Sequence, residues 1–414
     1  MKGNFRNFNN NNFKYKNSNN YQKNWFDKDY KKEKSIKFKN NEEKLKHIST
    51  IIENNNQTIS SIIPCSETTY FTTYKNEYYF RNIEQQNNND KGKFPENIII
   101  RKAIFSNNKI IMLTEHNDIN GNNDKLNEYY LIVMTKNNNQ LQSFSCKINK
   151  EPSDMIEDSN YIIISGDNLI GIFYFDQNKN GQIVKLSEIQ FNQNLNNSNN
   201  DMYKVLCIEK TDQNIICGHS LGYVSKWVTT QNSPFLENIK ISRIHFSSIN
   251  KILYDINNDN LKVIISCSSD KTLKVHSLDD FICLKVLNFN EEVIDVKKVI
   301  NLSNQTNYFV NLKKGNLKLY DSTFNNILLD IYNNSNVNRN FVCLTNSNNN
   351  NNNNNNNIND GNNNNNNKKI YVLITEENKI QIYEWIKIDK FKKFQKNNNY
   401  DKPIKTFFNG KNEF

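Results

Sequence analysis

The sequence predicts an all-β fold of seven repeated units, and three observations carry that reading. Short runs of alternating β-branched and apolar residues recur from Ser35 to about residue 388, separated by turns rich in Asn and Asp. Each unit has a third strand closing near an apolar or aromatic side chain, at Phe80, Val133, Phe173, Trp227, His276, Tyr320 and Tyr383. A six-residue offset separates turn from closing residue in Asp167 to Phe173, Leu221 to Trp227, Asp270 to His276, Lys314 to Tyr320 and Glu377 to Tyr383.

The first unit takes strands at Thr58–Ile63, Thr68–Thr73 and Glu77–Arg81, and the second at Ile98–Phe105, Lys109–Thr114, Tyr129–Met134 and Gln140–Ile148. Tyr161–Ser165, Leu169–Phe175 and Ile183–Phe191 supply the third, and Tyr203–Ile208, Asn214–Cys217 and Tyr223–Val228 the fourth. The fifth is the clearest, with Ile249, Ile252 and Tyr254 at strand spacing, then the hairpin Val263–Val275 and the strand Phe281–Leu287. Val293–Val299, Tyr308–Asn311, Asn316–Asp321 and Ile327–Ile331 make the sixth. Phe341–Thr345, Ile370–Thr375 and Lys379–Ile386 make the seventh. Successive closing residues lie 53, 40, 54, 49, 44 and 63 positions apart. The three longest intervals hold Asn-rich insertions near 116–127, 192–200 and 346–368, which restores a unit of roughly 40–45 residues. Ser35–Lys39 alternates correctly and is expected to complete the last unit, with Lys405–Phe408 as its rival.

The fifth unit carries a signature: His245, then an apolar strand, then Ser266-Cys267-Ser268-Ser269-Asp270, then a strand ending in the ring of His276. This resembles a WD repeat, and the resemblance extends in weaker form over residues 35–388. It implies a seven-bladed β-propeller. It also implies a buried hydrogen-bond network of His245, Ser266 and Asp270, with His276 where the family has Trp. Partner contacts in that family favour the face bearing the turns before the third strands. Here those turns hold His219, Ser220, Ser269, Lys271, Lys313, Lys314 and Glu376. The family's Trp-Asp pair is absent, and Leu221, Lys314 and Glu377 replace the turn Asp elsewhere.

Composition narrows the function classes. Mean hydropathy is −0.80, but much of that polarity is asparagine in runs such as Asn348–Asn357 and Asn362–Asn367. Seven cysteines without a Cys-x-x-Cys pair, several inside apolar runs, read as reduced core residues of a protein in the cytoplasm or nucleus. No secretory h-region and no membrane-length apolar window is present. A nucleophile elbow, a His-Glu-x-x-His helix and a P-loop are all missing. Cys217-Gly218-His219 supplies two metal-ligand types where a tetrahedral site needs more. Asp270-Lys271-Thr272 lacks the residues that would make it a phosphorylated aspartate. The chain is therefore expected to be non-catalytic, with no cofactor, metal or membrane partner.

Charge is uneven. Residues 1–46 hold thirteen Lys/Arg against five Asp/Glu, and residues 387–414 hold eight against three. The total of +10 leaves −3 for the body between them. Residues 1–34 and 389–414 are expected to be disordered tails. In the first, Lys2, Arg6, Phe8, Phe13, Lys14, Tyr15, Lys16, Tyr21 and Trp25 mix cations with rings, a pattern suited to phosphates and unpaired bases. The expected function is a scaffold binding proteins or peptides on the propeller face. The alternatives are an RNA-associated factor working through its basic tails and a ubiquitin-ligase substrate adaptor. Against the last, Trp227-Val228-Thr229-Thr230 and Tyr320-Asp321-Ser322-Thr323 lack the Arg of the Trp-Asp-x-Arg motif.

Overall fold

The computed structural model describes residues 35–39, 43–52, 58–85, 90–117, 127–137, 140–176, 181–190, 204–230, 236–257, 259–332, 339–346 and 369–388. The two tails lie outside these residues, as does nearly all of each Asn-rich insertion.

Every element among the described residues is a strand. The described residues begin with β1 (Ser35–Lys37) and β2 (Glu43–Ile52). Six four-stranded antiparallel sheets follow. Blade 1 is β3 (Ser61–Pro64), β4 (Thr69–Thr73), β5 (Glu77–Asn82) and β6 (Asp90–Lys93). Blade 2 is β7 (Ile98–Ser106), β8 (Lys109–His116), β9 (Glu128–Asn137) and β10 (Gln140–Ile148). Blade 3 is β11 (Pro152–Asp158), β12 (Tyr161–Gly166), β13 (Leu169–Asp176) and β14 (Gln182–Gln190). Blade 4 is β15 (Val205–Lys210), β16 (Asn214–His219), β17 (Tyr223–Thr229) and β18 (Leu236–Arg243). Blade 5 is β19 (Ile249–Ile256), β20 (Lys262–Ser268), β21 (Thr272–Ser277) and β22 (Cys283–Asn288). Blade 6 is β23 (Val293–Ile300), β24 (Thr306–Leu312), β25 (Leu317–Asp321) and β26 (Ile327–Ile331). Blade 7 joins β27 (Phe341–Asn346), β28 (Lys369–Glu376) and β29 (Lys379–Lys387) to β2 and β1, in the order β1-β2-β29-β28-β27.

The burial pattern explains why second strands read as unbroken apolar runs. Ile162, Ile163 and Ile164 of β12 are all buried, because a blade covers both of its faces with neighbours. Odd and even residues then serve different interfaces. Ile162 and Ile164 pack with blade 2 residues such as Leu131 and Val133, while Ile163 packs with Ile208 and Trp227 of blade 4. The same division recurs around the ring. Separate apolar clusters join blades 1 and 2, 2 and 3, 3 and 4, 4 and 5, 5 and 6, 6 and 7, and 7 and 1. Every sheet has two neighbours, so the ring is closed. The chain is a seven-bladed β-propeller.

Closure differs from the expectation in one strand. The N-terminal side does complete the last blade, but through β2, which pairs with β29 from Glu43↔Lys387 to Ile52↔Lys379. Ser35–Lys37 lies one place further out, as a fifth strand on β2. Leu45 is the reason: it is fully buried with Trp385 and Phe309 in the cluster joining blades 6 and 7. Trp385 Nε1 also donates to Glu43 Oε2 at 3.1 Å. The rival strand Lys405–Phe408 lies outside the described residues.

Candidate functional site: the turn face of blades 4 and 5

The turns between second and third strands, and the loops leading into each first strand, share one face. On blades 4 and 5 that face is organised by the stretch Ile244–Ser248. Gly222, at φ +82°, makes this possible: its carbonyl accepts from the amides of Ile244 and His245 at 2.9 and 3.1 Å. A Cβ there would fall 2.2 Å from the His245 carbonyl oxygen, so only glycine admits the loop so close.

His245 is buried beneath this loop. Its Nε2 lies 2.8 Å from Ser266 Oγ and its Nδ1 3.0 Å from Asp270 Oδ2. Asp270 further accepts from the amide of Phe246 at 2.9 Å, the amide of Thr272 at 3.0 Å and Thr272 Oγ1 at 2.5 Å. These donors, with the His245 ring, hold the carboxyl down at about 2 against the opposing effect of its own burial. Burial lowers the His245 pKa, Asp270 working against it, so the ring is neutral near pH 7. The consistent tautomer has Nδ1–H donating to Asp270 and Nε2 accepting from Ser266.

Two expected members fare differently. His276 does not join the network: its Nδ1 is buried without a hydrogen-bond partner among the described residues. An imidazole in β21 reaches less far than an indole would, and the Lys274 carbonyl, 3.3 Å from Ser266 Oγ, is a second acceptor for the hydroxyl that serves His245. Thr272, which sequence reasoning overlooked, joins the network from the turn side, its Oγ1 3.0 Å from His245 Nδ1 and 2.5 Å from Asp270 Oδ1. Burial, then the nearby His245 and Lys274, push the His276 pKa down to about 4.

The seven residues expected on the partner face divide as well. His219 is not a surface residue. It ends β16 fully enclosed, with Nε2 2.7 Å from Ser225 Oγ, which also accepts from Trp227 Nε1 at 2.8 Å. Burial alone brings its pKa down to about 4. Ser269 is half-buried between Ser248 and Asn250, and Ser220 is likewise only partly exposed. Glu376 pairs with Arg339 at 3.0 Å. Lys271, Lys313 and Lys314 are exposed, Lys313 being paired with Glu292 at 2.5 Å. The tail residues Lys2, Arg6, Phe8, Phe13, Lys14, Tyr15, Lys16, Tyr21 and Trp25 all lie outside the described residues.

What the sequence did not mark is the exposed apolar pair on this face. Phe246 is 84% exposed although its amide is fixed on Asp270, and Leu221 is 38% exposed on the neighbouring turn. Lys274 Nζ lies 5.6 Å from the Phe246 ring centre and donates to the Ile244 carbonyl at 2.7 Å. Arg243 donates to the His245 carbonyl at 3.3 Å. The ring is thus held out on a hydrogen-bonded stem with Lys274 beside it. A cleft of about 500 Å³ opens on the same face where blades 6, 7 and 1 meet, bordered by Ile59, Ser60, Asn311, Arg339, Asn340 and Glu377.

No group of three or more His, Cys, Asp or Glu among the described residues is placed to hold a metal ion. Burial pushes the thiols of Cys65, Cys207 and Cys343 up to about 12, which keeps them protonated. All seven cysteines are free, and Cys283, expected in the core with the others, is exposed on outer strand β22. No family model matches the chain, and no curated protein matches it significantly.

Proposed function

We propose that this chain is a divergent, non-catalytic WD-repeat scaffold that docks partner peptides on the turn face of blades 4 and 5. The observation that carries the proposal is Phe246. A phenyl ring this exposed on a loop this firmly bonded has its ordering cost already met, which favours association. The cations around it select the partner. Asp270 is consumed by its own donors and Glu292 lies within reach of Lys271, so Lys274 beside the ring and Arg243 on the same loop are the cations that face a peptide with an apolar residue flanked by a carboxylate. The His245–Ser266–Asp270 geometry supports the WD-repeat reading.

The test is capture of partners by tagged full-length protein, compared with Phe246→Ser and with Phe246→Ser/Leu221→Asp, each with and without RNase. A hot-spot ring of this kind is worth about 2 kcal/mol or more, so bound partners should fall roughly 30-fold with no change in melting temperature. Capture that is indifferent to both variants overturns the site. Capture abolished by RNase overturns the protein-docking reading itself.

A further inference from the structure

Blades 6, 7 and 1 are tied together on the turn face, and the tie frames the cleft between them. Asn340, just before β27, is locked to Thr375: its amide donates to Thr375 Oγ1 at 2.8 Å, and the Thr375 amide donates to its carbonyl at 2.8 Å. Asn340 Nδ2 then crosses to blade 1 and donates to the Ser60 carbonyl at 3.1 Å. Asn311 Nδ2 crosses from blade 6 and donates to the Arg339 carbonyl at 2.5 Å. The amide of Ile59 donates to the Glu377 carbonyl at 3.0 Å. These bonds fix the walls of a cleft of about 500 Å³ before anything enters it.

Its lining is apolar and oxygen-rich at once. Ile59, Ile294 and Leu312 supply the apolar part, and the charged residues bordering it are Arg339 and Glu377. Arg339 is already matched: Nη2 donates to Glu376 Oε1 at 3.0 Å, and Gln381 Nε2 donates to the other oxygen of that carboxylate at 3.0 Å. Lys379 closes the same turn opposite Glu376 and does not border the cleft. Glu377 is exposed, and its carboxylate has no hydrogen-bond or ion-pair partner among the described residues. At the floor, buried Asn311 spends Nδ2 on Arg339, while its Oδ1 has no hydrogen-bond partner among the described residues. The same holds for Oδ1 of Asp295, which stands directly opposite Asn311, and for Nε of Arg339. Buried polar atoms in that condition call for partners.

We infer that this cleft admits a lysine or arginine side chain from a partner protein. Such a side chain carries an apolar stem and a head that only donates. Ile59, Ile294 and Leu312 match the stem, and the Glu377 carboxylate with Asn311 Oδ1 matches the head. Arg339 Nε is left for the carbonyl of the entering residue. A carboxylate would face Glu377, and a wholly apolar side chain would leave the floor oxygens without a donor. The charge preference is opposite to that around Phe246, so the two sites on this face select different groups.

The experiment is saturation-transfer difference NMR on the full chain with the peptide acetyl-Ala-Ala-Lys-Ala-Ala-amide and its arginine, norleucine and glutamate counterparts. Saturation should be strongest on the lysine and arginine methylenes, and the basic peptides should bind about fivefold to tenfold more tightly than the norleucine one. Glu377→Gln should erase most of that preference. Glu377→Gly should do the same without lowering the melting temperature, because φ is +53° at this position. Thr58→Trp, at an exposed position on the rim, should block every peptide. Asp280→Asn, exposed on blade 5, should change nothing. Equal binding of the norleucine peptide, tighter binding of the glutamate peptide, or no saturation of any peptide at about 5 mM overturns the inference. So does a basic preference that survives both Glu377→Gln and Thr58→Trp.

Discussion

Replacing Asp270 by alanine is the sharpest probe of how the turn face is held. In the folded protein the carboxylate accepts four hydrogen bonds, from His245, Phe246 and two donors of Thr272. Removal strands a buried imidazole N–H and two loop amides. Each unsatisfied group costs about 1–3 kcal/mol, and water reaching the loop amides softens the total to about 3–5 kcal/mol. The pH dependence gives an independent check. The folded carboxyl titrates near 2, below its ordinary value of 3.8, so it contributes stability at neutral pH. That contribution is lost as pH falls from about 4 through about 2. Its size, discounted for partial solvent screening, is about 1–2 kcal/mol. The assay is urea denaturation of wild type and Asp270→Ala between pH 7 and 3, with hydrogen exchange at the amides of Phe246 and Thr272. The variant should have a lower midpoint, fast exchange at both amides and a shallower decline with acid. A variant with unchanged exchange at Phe246 would refute the idea that Asp270 fixes this loop.

Other perturbations report on other links. Lys109 and Glu157 form a buried ion pair between blades 2 and 3 at 2.5 Å, so Lys109→Ala should cost about 3–5 kcal/mol in urea, while Lys109→Met with Glu157→Leu should be close to neutral. Leu45→Ala should cost about 2–5 kcal/mol by opening a cavity in the closing strand, and hydrogen exchange should rise first in β2 and β29. Burial lowers the pKa of His219 and His276 to about 4, so both remain neutral when folded and protonate more readily when unfolded. Stability should therefore fall as pH drops from 6.5 toward 4, and His219→Gln should flatten that limb of the denaturation profile.

The legible part of the fold was the part that packs on both sides. Second and third strands such as Ile162–Ile164 and Ile370–Ile374 are apolar throughout, and the residues expected to close third strands all lie in them. Strands that meet water were harder to see. Asp90–Lys93 holds no apolar side chain, and Leu236–Arg243 alternates around exposed Ile239 and Ile241. Pro152–Asp158 hides a first strand behind a proline and three carboxylates. In β2 a register shift between His47 and Ser49 breaks the alternation, so the closing strand does not read as one. At the site, Ser266 and Asp270 were visible because one hairpin fixes their spacing, and His245 because it stands just before the strand that leads into that hairpin. Phe246 was not, because nothing in the adjacent residues says whether a ring after a buried His points inward or out. His219 was misplaced for the opposite reason: it follows a glycine near a turn, yet its ring turns back onto Ser225.

The clasp between β2 and β29 also sets a schedule. Glu43 and Trp385 are 342 residues apart in the chain, and at 5–20 residues per second that is about 20–70 s of synthesis. Throughout that interval six blades have been made and the strand that will latch them has no partner, its hydrogen-bonding edge covered on one side only by the short β1. The ring is therefore a structure that exists all at once or not at all. The β2 strand spends most of the chain's manufacture waiting, and that wait is when a chaperone, or a neighbouring chain with an unpaired edge, has its opportunity.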